Sequence, residues 1–279
     1  WQSNERGLRL VDRYLLKNII IIILVLVNGF LLGSLSMRYW SAAKAQDQME
    51  EQLVALFASD GMELDPDIIS QDAPPSSLSL SRDLDREQAA AAFFLGSDMA
   101  QGDQSGDTYT YSSKLGAARF RSNGGFDIVG TLSDADGEEL CRRFCKDFSY
   151  SEPVFILDES GSGSATAVCL HGKLPVYNCT ITFTFDQGKL LTVSGTLLPE
   201  DASVITEDRE LLSAPAALTT FQQARRESYM VATAVTGLTP CYELQGSTAS
   251  ALSLTPVWRI ATDTSDYYVN CITGTVTSD

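Results

Sequence analysis

Histidine is almost absent from this 279-residue chain, His171 being the only one. The six cysteines never fall in a Cys-x-x-Cys pair, so neighbouring positions supply no set of four close zinc ligands. The same scarcity leaves no serine or cysteine nucleophile with a partner base, and His171 itself falls at an expected loop tip. Asp158 and Glu159 precede Gly161-Ser162-Gly163-Ser164, but no lysine follows and no strand-to-helix setting is expected there. That run reads as a flexible connection rather than a phosphate loop. Glu138 and Glu139 read as helix-start acids, favourable to the helix dipole, and adjacent positions do not make a glycosidase pair. The sequon Asn178-Cys179-Thr180 lies mid-strand and carries no expectation of a glycan. The reading is therefore of a protein that is not an enzyme, with no metal and no cofactor.

Positive charge is also scarce, with 20 Lys and Arg against 36 Asp and Glu, a formal net charge of −16. Five of those cations and two of the acids precede Tyr39, which leaves the remainder at about −19. Nucleic acid and anionic lipid are poor partners for such a surface.

What is present is one long uncharged run of 20 residues, Asn18 to Met37. As a helix it crosses about 30 Å of hydrocarbon. It ends in Arg38, Tyr39 and Trp40, an interfacial anchor rather than a cleavage site, so it reads as an uncleaved transmembrane helix. Arg6, Arg9, Arg13 and Lys17 stand before it, and the basic bias places the N-terminus in the cytoplasm and the rest outside the cell. Within the span, Gly29, Gly33 and Ser36 share a small-residue face, with Asn28 beside it. Glycines permit close helix approach, and an asparagine in hydrocarbon gains from a partner's hydrogen bond, so this face is the candidate partner-binding stripe.

The expected organisation is a cytoplasmic tail over 1–17, the span over 18–37, a helical stalk over 41–60, a linker over 61–80, α+β units over 81–200 and a C-terminal unit over 205–279. In the stalk Ala45, Met49, Leu53, Val54 and Phe57 recur at helical spacing until Gly61. Pro66, Pro74 and Pro75 mark the linker. A capped helix followed by about three strands then comes three times. Asp85 and Gln88 open the first helix, Gly96 stops it, and strands follow around Tyr109, Ala117 and Phe126. Ser133 caps the second, whose Leu140, Cys141, Phe144, Cys145 and Phe148 share one face. Tyr177, Cys179, Ile181, Phe183 and Phe185 then alternate with Asn178 and three threonines, demanding one buried and one wet face, and Asp186 to Gly188 turns that strand back. Ser213 caps the third helix, which carries Leu218 and Phe221, and strands follow near Met230, Tyr242, Trp258 and Tyr268. Helices on one face of antiparallel sheets give an α+β class.

Six cysteines in an exported segment permit three disulfides of undetermined connectivity. Cys169 with Cys179, across a hairpin loop, and Cys241 with Cys271 are the candidate pairs; Cys141 and Cys145 share a helix face and read as buried thiols.

Two stretches carry a family resemblance. Leu16-Lys17-Asn18 leading through Ile19 to Val27 into Asn28-Gly29-Phe30-Leu31-Leu32 resembles the anchor of the YycH/YycI family. Pro256-Val257-Trp258-Arg259-Ile260, with Tyr267-Tyr268-Val269-Asn270 and Thr273-Gly274-Thr275-Val276, resembles the end of YycI-type proteins and of PepSY-like modules. The middle of the chain and its six cysteines depart from that pattern. The resemblance implies a PepSY-like final unit and an accessory regulator that binds an essential sensor histidine kinase controlling cell-wall homeostasis. It also implies a paralogous accessory protein as a further partner, and self-association is left open. The competing expectations are a membrane-tethered wall-processing enzyme or protease inhibitor, and a scaffold subunit of an envelope complex.

Overall fold

The computed structural model describes residues 24, 28, 44, 48–69, 72–102, 105–132, 136–206, 210–228, 231–247 and 250–278. The chain divides into two compact units, 1–56 and 57–279. In the first, the described residues Leu24, Asn28 and Lys44 are helical. Helix α1 runs over 48–59, and Gly61 ends it at a positive φ of 71°, where a side chain would be strained.

The stretch read as a linker is structured at both ends. Strand β1 (Glu63–Leu64) is followed by a single 3-10 turn (Pro66–Ile68) and then by β2 (Leu78–Leu80). Three helices then each lead into their own run of strands. Helix α2 (Leu84–Leu95) precedes β3 (Ala100–Gln101), β4 (Tyr109–Ser112), β5 (Gly116–Phe120) and β6 (Gly125–Gly130). Helix α3 (Gly137–Asp147) precedes β7 (Val154–Leu157), β8 (Gly163–His171), β9 (Leu174–Asp186), β10 (Lys189–Thr196) and β11 (Ala202–Val204). Helix α4 (Ala214–Ser228) precedes β12 (Ala234–Ser247), β13 (Ser250–Thr262), β14 (Asp266–Asn270) and β15 (Val276–Ser278).

The expected helix starts need correction. The cap of α2 is Asp83, which accepts from the Arg86 amide, rather than Asp85. Asp136 caps α3 through the Glu139 amide, while Ser133 lies outside the described residues, as does Met230. An aspartate one residue before the helix satisfies an orphan N–H most directly. Pro215 sits in the first turn of α4, where its missing N–H costs nothing.

Eight strands form a wide antiparallel sheet in the order β7-β8-β9-β10-β6-β5-β4-β3. Helices α2 and α3 cover one of its faces. Phe144 of α3 lies 4.8 Å from Phe94 of α2 and 6.2 Å from Phe183 of β9, ring centre to ring centre. The alternation read along β9 is seen: Cys179, Ile181, Phe183 and Phe185 are buried. Gln187 and Gly188, both at positive φ, make the tight turn into β10.

The second sheet is built on the long hairpin β12–β13, with β14 and β15 beyond β13 and α4 on one face. Phe221 of α4 meets Tyr267 at 5.1 Å, and Trp258 of β13 donates its indole N–H to the Leu212 carbonyl at 2.9 Å. This sheet is completed from far upstream: β2 pairs with β13 and β11, and β1 pairs with β12. The two sheets join where Val176 of β9 meets Tyr242 of β12 in parallel. The architecture is α+β as expected, but the sheet is mixed rather than purely antiparallel, because β1–β12 and β9–β12 run parallel.

Asp263, in the β13–β14 turn, accepts hydrogen bonds from the Thr233 amide at 2.9 Å, the Thr233 hydroxyl and the Ala234 amide at 3.2 Å. Those donors, the Thr233 hydroxyl foremost, hold its pKa below the usual 3.8. A depressed folded-state pKa contributes stability that is present above the unfolded pKa and lost as pH falls through the folded one. Asp263→Asn is therefore expected to lower the melting temperature at neutral pH, with the gap to wild type closing as pH drops below about 4. Thermal melts between neutral and strongly acidic pH check this; a constant gap would exclude it.

Candidate functional site

The face of the C-terminal sheet opposite α4 is covered by no helix among the described residues, and β9 changes its role there. Asn178 binds the backbone of Leu244 with both ends of its amide: Nδ2 donates to the carbonyl at 2.9 Å and Oδ1 accepts from the N–H at 2.8 Å. The sequon nitrogen is thus engaged in joining the two sheets. This junction takes Tyr177 out of the buried row of β9 and places its ring against Tyr268 of β14, centres 3.7 Å apart and planes within 13°. The pair roofs Cys241 and Val257, which are fully buried beneath it.

Beside that roof, Glu243 of β12 projects into a groove also lined by Gln245, Asn270, Thr273, Thr275 and Thr277. Its carboxylate accepts from the Tyr177 hydroxyl at 3.2 Å, Gln245 Nε2 at 3.1 Å and Asn270 Nδ2 at 3.5 Å. Burial pushes the Tyr177 phenol above its ordinary pKa and the Glu243 charge adds to the shift, so the hydroxyl stays protonated and donates. Asn270 is itself fixed, its Oδ1 accepting from the amides of Ile272 and Thr273 across the turn closed by Gly274, which has a φ of 71°. Arg259 on the adjoining strand is engaged by Asp266 at 2.6 Å. The groove therefore offers one fixed carboxylate, an aromatic platform, two amides and three hydroxyls. A binding site can be built from these; besides Glu243, the titratable groups of the lining are the phenols of Tyr177 and Tyr268, and Tyr177 is held in its protonated, donating form.

Of the residues singled out in the sequence, Asn28 is helical and exposed, while Gly29, Gly33 and Ser36 lie outside the described residues, as does nearly all of 18–37. Among the described residues no helix is long and apolar enough to cross a membrane. All six cysteines are free and buried. Cys169 donates its thiol to the Thr196 carbonyl at 3.2 Å, and burial, with the nearby Cys179 thiol, drives the Cys169 thiol far above its ordinary pKa. Cys145, Cys241 and Cys271 are pushed up to about 12 by burial.

The expected pairing of Cys241 with Cys271 needs correction. Cys241 lies opposite Val257 of β13, and Val257 lies opposite Asn270 on its other side. Two strand spacings separate the cysteines, about 9.6 Å, beyond the roughly 7 Å that a disulfide tolerates between Cα atoms. His171 ends β8 at the hairpin turn, edge-on to Tyr242 at 6.0 Å, and burial lowers its pKa. The Asp158–Ser164 run is a hairpin turn in which Asp158 Oδ1 accepts from the Ser160 and Ser162 amides. Glu138 pairs with Arg142 along α3.

Sequence reasoning missed the groove. Its one local signal was Glu243, an acid two residues beyond the buried Cys241 on the same side of β12.

No family model and no curated protein matches the chain. Among solved structures it is similar to an uncharacterized protein from Eubacterium rectale, at 12% identity over 74% of this chain and 81% of that one, with a TM-score of 0.42. A likeness that distant carries no functional argument.

Proposed function

We propose that this chain is a membrane-anchored, non-enzymatic regulator that binds and modulates a sensor histidine kinase of a cell-wall-responsive two-component system. The observation that supports binding is the groove around Glu243, which gathers one fixed carboxylate, a stacked tyrosine platform, amides and hydroxyls on an open sheet face. In this reading 18–37 spans the cell membrane, residues 1–17 are cytoplasmic, and the remainder is outside. Asn28, Gly29, Gly33 and Ser36 pack on a membrane helix of the kinase while the open sheet face meets its sensor region. Modulation requires unequal affinity for the two signalling states, since a ligand that binds both equally shifts nothing.

The test is affinity capture of the full-length protein from its native membrane after mild crosslinking, comparing wild type with Asn28→Leu plus Gly29→Leu. A sensor kinase captured by wild type and lost in the variant is the expected result. Wall enzymes or their substrates captured equally by both, with no kinase, would replace this reading with that of a tethered enzyme or inhibitor. Constitutive assembly with no change in kinase output would leave a scaffold.

An oxidising exterior also bears on the thiols. Cys169 and Cys179 are the pair proposed to close there, two thiols giving a disulfide with two electrons and two protons passed to an external disulfide oxidant. Thiol titration of protein isolated without reductant and unfolded in denaturant is then expected to find four free thiols rather than the six of the sequence. Six would place the chain in a reducing setting or leave this pair open.

A further inference from the structure

We infer that the groove on the open face of the C-terminal sheet receives a single organic cation, an alkylammonium or guanidinium group, with Glu243 as its counter-charge and Tyr177 as its aromatic partner. This rests on the reading that this face is a binding face, and names the chemistry of what it binds.

The argument begins with the carboxylate. Glu243 is half-buried and held by three neutral donors, Tyr177, Gln245 and Asn270, which aim it but leave its charge in place. No cation among the described residues pairs with it, and the guanidinium on the adjoining strand, Arg259, is held by Asp266. A charge drawn partly out of water and unmatched gains from a ligand that brings the opposite one. The aromatic roof favours the same sign, because the face of a tyrosine ring is the negative end of its quadrupole. Tyr177 lines the groove with its ring braced against Tyr268, so it is presented without having to be ordered on binding.

The rim agrees. Thr273 and Thr275, whose hydroxyls bond each other at 2.7 Å, and Thr277, whose hydroxyl meets the Tyr177 phenol, keep oxygen lone pairs toward the groove, and Gln245 adds an amide oxygen, acceptors for the N–H groups of an ammonium or guanidinium that the carboxylate leaves unfilled. At longer range the chain carries a net charge of −16, a field that draws cations toward it and repels anions. An anionic ligand would meet Glu243 directly.

The experiment uses the purified full-length chain in neutral detergent micelles with its tyrosine rings isotopically labelled. It is titrated with butylammonium and with a blocked Gly-Lys-Gly tripeptide; blocked Gly-Gln-Gly and N-acetylglucosamine are the uncharged comparisons. Both cations are expected to shift the Tyr177 and Tyr268 ring signals saturably, and the uncharged probes are not. Glu243→Gln, which keeps the shape and an acceptor oxygen, is expected to weaken cation binding at least about tenfold. Raising the salt concentration is expected to weaken it in wild type, a readout that needs no variant to fold.

A tripeptide that binds much more tightly than butylammonium assigns the cation to a basic side chain of a polypeptide, and equal affinities assign it to a free small amine; either supports the site. Failure of both cations to saturate, affinity untouched by Glu243→Gln and by salt, or equal binding of the uncharged probes would overturn it. Cation binding without kinase capture would sink the kinase reading alone. Kinase capture without cation binding would sink this inference alone.

Discussion

Phe144→Ala is expected to lower the unfolding free energy by about 4 kcal/mol, as large-to-small changes of fully buried aromatics do. Phe144 is 0% exposed, and its ring lies within 4.4–6.2 Å of those of Phe93, Phe94, Phe148, Tyr150 and Phe183. It is the side chain by which α3 meets both α2 and the wide sheet, so its removal opens a cavity bordered by three elements that cannot all collapse into it. Phe144→Leu retains most of the volume and is expected to cost about 1–1.5 kcal/mol. Urea unfolding followed by far-ultraviolet circular dichroism measures both. Equal losses for the two variants would mean that packing of α3 on the sheet is not what this ring contributes.

Trp258→Ala carries the second large effect, again about 4 kcal/mol. The indole is fully buried under α4 and its N–H satisfies the Leu212 carbonyl, while the Leu212 amide donates to the Cys271 carbonyl at 2.9 Å. The segment that launches α4 is therefore pinned through Leu212 to β13 and to the residue that follows β14. Trp258→Phe separates the contributions: it keeps an aromatic filler, orphans the carbonyl, and is expected to cost about 1–3 kcal/mol. If Trp258→Phe proved as damaging as alanine, the hydrogen bond rather than the packing would be holding α4.

What could be read along the chain was what neighbouring residues decide. The two-residue alternation from Cys179 to Phe185, the apolar face of Cys141, Phe144 and Cys145, and the stop signals at Gly61 and Gly96 each express a local periodicity or a backbone requirement. The repeated order of helix and strands followed from them. What stayed hidden is set by partners distant in sequence. Glu63–Leu64 and Leu78–Leu80 are too short to announce themselves among prolines, and become strands only because β12 and β13 offer them edges. Tyr177 obeys the alternation of β9 by position and leaves it in space, because Asn178 ties the strand to Leu244. The groove inherits that invisibility: Tyr177, Glu243, Tyr268 and Asn270 come from three strands, and no spacing rule links them.

The mixed origin of the C-terminal sheet also sets a timetable for the protein's birth. Strand β2 pairs with residues 202–204 on one side and with 252–254 on the other, so a chain emerging N-terminus first leaves the second edge of Leu78–Leu80 unpaired until nearly its whole length has appeared. Contacts this far apart in sequence form slowly, and an uncovered strand edge invites pairing with the wrong neighbour. A nascent chain of this protein would thus depend on being held apart from its siblings until synthesis is complete. A copy truncated before β13 would offer quality-control proteases a permanent invitation.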